Sequence, residues 1–406
     1  MLTEFRGTPL RPAWPQYLLW GYTAGLALTH IFLQATGAIY LLLLLWLIAS
    51  GQHRRFQTIH WLLIAYALSA ILAFWIAGHS LKQHSSLLSQ LVLLGLIPLS
   101  LWQEDSGYPA LRPWSRWLVG LALLACLAGV YHHFQGMDRV KGFFGSYFTI
   151  AVLLVCTIPI SCGMLLSGKL DWRRAYYLPV LGLQLLTLWW TYTRSAFLGL
   201  FIGMGVFALA LFLRDIRSPK RERRAILARW GMLLALPAIL LSLMLTAADP
   251  RINPFYKAPP EAATETVPGQ DFSSGRKAII TDALRITSGE IRQGNYAKLI
   301  FGHGLSSRKR MVEGYISSWE SDFLQIFMNQ GLIGLLLAMG IYAGFIRAIW
   351  HGLRSPDLLL TGLAAAGIGY SVMSFFTLQI TAFNSAGIFA LLYAFLHTYS
   401  PRRQNQ

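Results

Sequence analysis

Charged residues are scarce in this sequence. Only 13% of the 406 residues are charged, whereas 55% are hydrophobic, and a water-soluble domain of this length would have too few polar side chains to cover its surface. Acids are the scarcer kind, with 17 Asp and Glu against 34 Lys and Arg. The composition therefore predicts a membrane protein rather than a soluble domain.

Cysteines and cofactor motifs are equally few. The three cysteines, Cys126, Cys156 and Cys162, all fall in apolar segments, and no neighbouring His or Cys completes a metal-ligand spacing. The sequence has no HExxH, no P-loop and no paired-aspartate metal motif. We therefore expect no metal site and no bound cofactor.

Apolar segments long enough to cross a hydrocarbon core of about 30 Å recur along nearly the whole chain. They predict an all-α membrane protein with about 12 transmembrane helices, and the first segment is too long for a cleavable signal peptide. The expected spans are 16–33, 36–50, 58–77, 87–102, 117–133, 147–167, 175–191, 195–213, 230–247, 329–350, 357–376 and 380–398.

Lysines and arginines concentrate in alternate loops, which predicts the orientation of the chain. If both termini are cytoplasmic, the inside loops are the basic ones, whereas the short loops on the other side hold only Lys82, Arg139, Lys141 and Arg194. A nucleic-acid partner is not indicated, because the basic run 217–229 lacks a recognition motif and lies between two spans. The inside loops are 53–55, 112–116, 169–174, 214–229 and 347–354, with the tail 401–406.

One long loop interrupts the short-loop pattern and divides the chain into three parts. Residues 1–247 are expected to form nine spans, 248–328 a large loop with short helices outside the cytoplasm, and 329–406 three spans and a cytoplasmic tail. Apolar periodicity predicts a helix over about 275–287 that ends near Gly289. The stretch KLIF should then be extended before the glycine-rich turn FGHG.

The segment that returns to the membrane is SSWESDFLQIFMNQGLIGLLL, residues 317–337. Its first part is expected to be an amphipathic helix with Glu320 on the same side as Phe323, Leu324 and Phe327. Gly331 and Gly334 would allow a bend or a close helix approach. Glu320 and Asp322 thus stand at the outer interface, where an acid can also serve simply as a helix cap.

The order of several motifs resembles the O-antigen ligase and Wzy-type polymerase superfamily. These motifs are LWWTYTRSAFLGLFIG around Arg194, SSGRKAII around Arg276, the FGHG turn, and DFLQ followed by GLIGLLL. The resemblance covers about residues 145–340 and implies a GT-C-like architecture in the bacterial inner membrane. It also implies transfer of a glycan from an undecaprenyl-diphosphate donor to an acceptor hydroxyl at the periplasmic face.

The resemblance implies site residues as well. Arg194 and Arg276 would hold the diphosphate leaving group, because guanidinium groups bind phosphate oxygens in a bidentate manner without a metal. Arg292 could assist them. The alternatives are a snorkelling interfacial role for Arg194 and an ordinary exposed loop charge for Arg276 and Arg292.

The sequence departs from the family where a general base is expected. Ligases of the superfamily carry a His that this chain replaces with Glu320, and a partly desolvated carboxylate can take the proton from an attacking hydroxyl. His303 in the FGHG turn is the alternative base. Because some polymerases of the superfamily carry an acid at this place, we favour polymerisation of repeat units. Transfer to lipid A core is the alternative.

Two further classes remain open from the sequence. A polysaccharide or lipid transporter would usually show two similar halves and charged residues within its spans, whereas here the polar residues concentrate in one late loop. A non-catalytic scaffold of envelope assembly would explain the missing His. For an enzyme, the expected partners are the lipid-linked donor, a glycan or lipid A core acceptor and a chain-length regulator.

Overall fold

The computed structural model describes residues 14–28, 30–76, 91–106, 111–143, 146–167, 172–216, 276–312 and 318–399, with a few single positions elsewhere. In these ranges every regular element is a helix, which confirms the all-α expectation. The described long helices are α1 (Trp14–Leu28), α2 (His30–Ala49), α3 (Thr58–Ile76), α4 (Leu96–Ser106), α5 (Leu111–Phe134), α6 (Tyr147–Leu166), α7 (Tyr177–Trp190) and α8 (Arg194–Ile216).

The second half contributes six further helices, α9 (Arg276–Arg292), α10 (Tyr296–Phe301), α11 (Ser307–Met311), α12 (Asp322–Leu353), α13 (Leu358–Phe376) and α14 (Phe383–Thr398). Short helical turns cover Gln52–Arg55, Val92–Gly95 and Trp172–Ala175. The expected ninth span, 230–247, lies almost wholly outside the described residues, as does loop segment 248–275.

Six described helices are long and apolar enough to cross a membrane, namely α3, α5, α6, α8, α12 and α13. Four shorter apolar helices accompany them, at Leu33–Ala49, Val92–Glu104, Tyr177–Trp190 and Phe383–Thr398. The chain is therefore a helical membrane protein. The number of spans remains a prediction.

Close contacts between small residues hold the centre of the helical core together. A Cβ on Gly163 of α6 would lie 2.7 Å from the carbonyl oxygen of Leu358, at the start of α13. On α8, a Cβ on Gly199 would lie 2.6 Å from the carbonyl oxygen of Gly369. Glycine lets helix backbones approach this closely in a membrane, so α13 is fixed against both α6 and α8.

These contacts also show which helix ends lie together. Gly199 approaches Gly369 while Gly203 approaches Ala365, so α8 and α13 are antiparallel. The start of α8 therefore lies beside the end of α13, near the loop 377–382. We call this side of the molecule the loop end and the opposite side the basic end.

Basic residues separate between the two ends as the sequence predicts. Helices α5 and α12 each have one terminus at the loop end through contacts described below. Helix α3 is antiparallel to α12, because Ser69 Oγ donates to Gln330 Oε1 whereas Leu62 lies near Gly340. Arg54, Arg112 and Arg354 therefore lie at the basic end, together with Arg174 just before α7. The charge pattern thus agrees with the packing. Assignment of the basic end to the cytoplasm stays a prediction.

Three local expectations are wrong. Helix α9 continues through Gly289 to Arg292 and ends before Gly294, whose φ is 69°. The stretch KLIF (298–301), expected to be extended, lies in helix α10 (Tyr296–Phe301). Glu320 does not belong to the following helix, because its φ is 55° and α12 begins only at Asp322.

Candidate active site

Arg276 is the first residue of α9 and lies at the loop end. Its guanidinium carbon is 6.0 Å from the ring centre of Phe376, the last residue of α13. The side chain is half-buried, and its Nε has no hydrogen-bond acceptor among the residues that the structure describes. Burial lowers the pKa of Arg276, and the negative charge of Glu320 partly offsets this effect. Arg276 therefore presents an unused donor beside a carboxylate.

Glu320 occupies a strained backbone position, and its charge acts on Arg276. Its φ of 55° lies in the left-handed region, which costs a non-glycine residue about 1–2 kcal/mol. The side chain is half-buried, and its Oε1 accepts a hydrogen bond from Ser318 Oγ at 2.7 Å. Such strain persists only where the surrounding structure imposes it.

The neighbouring Trp319 supplies that constraint. Its side chain is 1% exposed, its Nε1 donates to Ser307 Oγ at 2.9 Å, and its backbone N–H donates to Gln325 Oε1 at 2.8 Å. The ring packs with Ile279 and Ala283 of α9. One face of α9 and the segment that carries Glu320 are thereby fixed to each other.

Asp322 follows Glu320 by two residues and binds the loop 377–382. Its carboxylate accepts hydrogen bonds from the backbone N–H groups of Gln379 and Ile380, both at 2.9 Å, and from Thr381 N at 3.2 Å and Thr381 Oγ1 at 2.7 Å. Tyr342 Oη donates a further bond at 3.3 Å. Asp322 is fully buried. It is a structural anion that joins α12 to the loop after α13.

Arg194 stands at the loop end as the first residue of α8 and is half-buried. The turn before it is fixed by Arg139, whose Nε and Nη2 donate to the carbonyl oxygens of Thr191 and Tyr192, each at 3.1 Å. Tyr192 has a φ of 52°. Two of the three described non-glycine residues with positive φ, Tyr192 and Glu320, thus lie at or next to candidate site residues.

The FGHG turn docks the segment 276–312 onto α12. The backbone N–H groups of His303 and Gly304 donate to the carbonyl oxygens of Met328 and Asn329, both at 2.9 Å. At Gly331 the backbone of α12 is non-helical, which confirms the expected bend. Added Cβ atoms on Gly302 and Gly331 would overlap the backbone of the opposite segment. The glycines of this turn therefore serve close packing.

His303 faces the buried Glu290 rather than Arg276. Its Nδ1 is 4.0 Å from Glu290 Oε1, which also accepts from Lys298 Nζ at 3.0 Å. Burial lowers the pKa of His303, and Glu290 partly offsets this. Burial by itself raises the pKa of Glu290, but hydrogen bonds from Lys298 and Asn295 outweigh it, and the net pKa is lowered.

Distance along α9 separates the candidate residues into two groups. Glu290 follows Arg276 by 14 residues, about 21 Å at the rise of an α-helix, and the exposed Arg292 lies at the far end of the same helix. The structure therefore brings Arg276 and Glu320 together at the loop end, where α8 also begins. It places His303 and Arg292 towards the other end of α9.

The remaining arginines of this segment have structural partners. Arg308 is only 5% exposed, pairs with Asp282 at 3.4 Å and lies 5.0 Å from the ring centre of Trp319. Arg310 Nη2 donates to the carbonyl oxygens of His303 and Leu305. These arginines support the fold of the segment.

Sequence reasoning overlooked Asp322 as an anchor and Arg139 as a brace of the turn. The only signal for Asp322 was its place in the DFLQ motif, and for Arg139 the scarcity of basic residues in its group of loops.

The three cysteines are free and buried. Among the described residues no group of three or more His, Cys, Asp or Glu could hold a metal ion.

Comparison with known proteins finds a family model that covers the candidate site residues. A family model described as O-Antigen ligase matches residues 179–339, which include Arg194, Arg276 and Glu320. No curated protein matches the chain significantly. The match suggests a glycosyl-transferring enzyme. The match over residues 179–339 supports a relationship of this chain to the O-antigen ligase and Wzy superfamily.

Proposed function

We propose that this protein transfers a glycan from an undecaprenyl-diphosphate donor to a sugar hydroxyl at the periplasmic face of the bacterial inner membrane. The observation that carries the proposal is that Arg276 and Glu320 lie within electrostatic range of each other at one end of the helical core. A cation with an unused donor and an adjacent carboxylate are the two groups that a glycosyl transfer with a diphosphate leaving group needs.

Arg276 is proposed to bind the diphosphate. Its Nε has no acceptor among the described residues, and a guanidinium can donate two parallel hydrogen bonds to phosphate oxygens. Arg194 begins α8 at the same end of the core. In this proposal both arginines stabilise the charge that develops as the diphosphate leaves, and the partly buried surroundings strengthen that interaction.

Glu320 is proposed to be the general base. The acceptor O–H loses its proton to the Glu320 carboxylate while the oxygen forms a bond to the anomeric carbon. The bond from that carbon to the diphosphate oxygen breaks, and its electron pair leaves with the undecaprenyl diphosphate. Direct displacement of this kind inverts the anomeric configuration. The chain's own groups supply every step of this reaction without a metal.

His303 and Arg292 do not enter this chemistry. His303 is held against Glu290, and Arg292 lies at the far end of α9 from Arg276. Their positions favour a role in the fold of the segment. Glu320→Gln should therefore reduce transfer far more than His303→Gln.

We favour polymerisation of repeat units, because an acid stands where ligases of the superfamily carry a His. The matching family, O-Antigen ligase, favours transfer to lipid A core as the second candidate. The acceptor differs between the two reactions, but the donor and the proposed groups are the same.

The surface polysaccharide of a deletion strain separates the two candidates. If the protein is a polymerase, deletion leaves single repeat units on lipid A core. If it is a ligase, long lipid-linked chains accumulate and none reaches the core. Complementation with wild type should restore the normal pattern and Arg276→Gln should not. Normal polysaccharide in the deletion strain, with the donor pathway intact, would contradict both.

A further inference from the structure

A cavity with three arginines in its wall lies far from Arg276 and Glu320. It has a volume of about 460 Å³ and is lined by residues of α5, the turn Trp172–Ala175, and the ends of α6, α7 and α13. Leu359, in its wall, stands 17 residues before Phe376 on α13, which is about 25 Å along the helix. The cavity is therefore at the basic end, on the opposite side of the core from the proposed active site.

Three arginines line this cavity. Arg112 and Arg116 lie one turn apart at the start of α5, and Arg174 comes from the short turn before α7. Arg174 Nη1 is buried without a hydrogen-bond partner in the described part of the chain. No carboxylate is among the described residues that line the cavity. Three guanidinium groups without a lining acid make a strongly positive cavity.

Hydroxyl groups complete the polar wall. Tyr177 Oη donates to Met164 Sδ at 3.4 Å and interacts with Arg116, while Ser167 Oγ donates to the carbonyl oxygen of Met164 at 2.9 Å. Met164 is thus held from two sides. Met164, Ser167 and Tyr177 therefore form a fixed part of the cavity wall.

The cavity opens where a membrane–water interface is expected. Trp117 on α5 and Tyr176 beside the cavity are 40% and 48% exposed. Tryptophan and tyrosine with exposed rings are enriched at the headgroup level of membranes. Basic pockets between transmembrane helices at this level bind anionic lipid headgroups.

We propose that this cavity binds a phosphate-bearing anion through Arg112, Arg116 and Arg174. The bidentate geometry of guanidinium groups suits phosphate oxygens, and the buried Arg174 Nη1 gains an acceptor. The phosphate can come from the headgroup of an anionic phospholipid or from a soluble phosphate compound. Such a ligand would bridge α5 and the turn before α7, and would stabilise this end of the core.

Native mass spectrometry on the purified full chain in detergent tests this proposal. The probes are dioleoylphosphatidylglycerol, dioleoylphosphatidylcholine and inorganic phosphate. Arg112→Gln/Arg116→Gln removes two exposed side chains, so the fold should be retained, and Arg174→Gln tests the third arginine. The control Arg54→Gln/Arg354→Gln removes two charges from the same end outside the cavity lining.

We expect the wild type to bind phosphatidylglycerol more tightly than phosphatidylcholine. Each cavity arginine removed should weaken the binding roughly fivefold, while the control pair stays within about twofold of wild type. Binding of inorganic phosphate with the same arginine dependence, but no preference for phosphatidylglycerol, would support the site and identify a soluble ligand. Equal binding of the two lipids by wild type and cavity variants, without arginine-dependent binding of inorganic phosphate, would overturn the proposal, as would an equal loss of binding in the control pair.

Discussion

The carboxylate of Asp322 should contribute more to stability than any ordinary helix-cap acid in this chain. It accepts four hydrogen bonds from the loop 377–382 and one from Tyr342. Asp322→Asn keeps the size of the side chain but replaces one acceptor oxygen with an N–H₂ donor. We expect this change to lower the free energy of unfolding.

The magnitude follows from which bonds survive. If the asparagine oxygen takes the place of Oδ1, the bonds from Gln379 and Thr381 remain but lose the charge of their acceptor, which weakens each by about 1 kcal/mol. The Ile380 N–H then faces another donor, and a buried unsatisfied N–H costs about 1–3 kcal/mol. Because a neutral amide is cheaper to bury than a carboxylate, we expect a net loss of about 2–4 kcal/mol.

Thermal unfolding of the purified protein in detergent, followed by tryptophan fluorescence, measures this effect. The matched control is Asp357→Asn, since Asp357 caps α13 through a single bond from Leu359 N at 2.9 Å. Asparagine and aspartate are about equal as N-caps, so the Tm of Asp357→Asn should stay near the Tm of wild type. The reasoning would be refuted if Asp322→Asn had the same Tm as wild type. It would also be refuted if Asp357→Asn lowered the Tm as much as Asp322→Asn does.

Three further predictions follow from the loop end and its docking turn. Gly302→Ala should destabilise the protein by about 2 kcal/mol or more in thermal unfolding, because φ is 82° and an added Cβ meets the backbone of α12. Arg139→Lys should lower kcat/KM for glycan transfer about tenfold, since lysine cannot hold both carbonyl oxygens of the turn before Arg194. As the pH falls below about 6.5, the Tm of wild type should fall more than the Tm of His303→Gln. The pKa of His303 is lower in the folded state than in the unfolded state, so the unfolded state binds the proton at higher pH and is stabilised.

Each of these predictions has its own control. Gly289→Ala lies in open space on α9 and should stabilise by about 0.5–1 kcal/mol; destabilisation equal to that of Gly302→Ala would argue against the docking contact. Arg54→Lys at the basic end should leave kcat/KM unchanged. Full activity of Arg139→Lys would show that the hydrogen bonds from Arg139 to the turn are dispensable. Parallel Tm profiles of wild type and His303→Gln between pH 7 and 5 would rule out the His303 contribution.

Apolar length and period predicted the helices of the core well, because membrane helices must satisfy their backbone hydrogen bonds within one segment. Sequence reasoning located α3, α6, α8 and α13 to within a few residues. It failed at Tyr296–Phe301, a run too short to separate an extended segment from a single helical turn. Tertiary contacts with α12 decide the conformation there.

The candidate site was only partly visible in the sequence. Arg276 and Glu320 were identified from motif position, and the structure places them together. The left-handed backbone of Glu320 could not be foreseen, because it depends on Trp319 and Asp322, whose partners lie in α11 and after α13. The FGHG motif predicted a turn but gave no indication of the helix against which its glycines pack.

The most direct test of the account is turnover of a lipid-linked repeat unit by the purified protein with Glu320→Gln. Glutamine can still accept the hydrogen bond from the Ser318 hydroxyl, so the fold should be kept. It cannot take the proton from the hydroxyl of the acceptor sugar. We predict a loss of about 10²–10⁴-fold in kcat, with Glu104→Gln on α4 as active as wild type. Wild-type turnover by Glu320→Gln would contradict the assignment of Glu320 as the base.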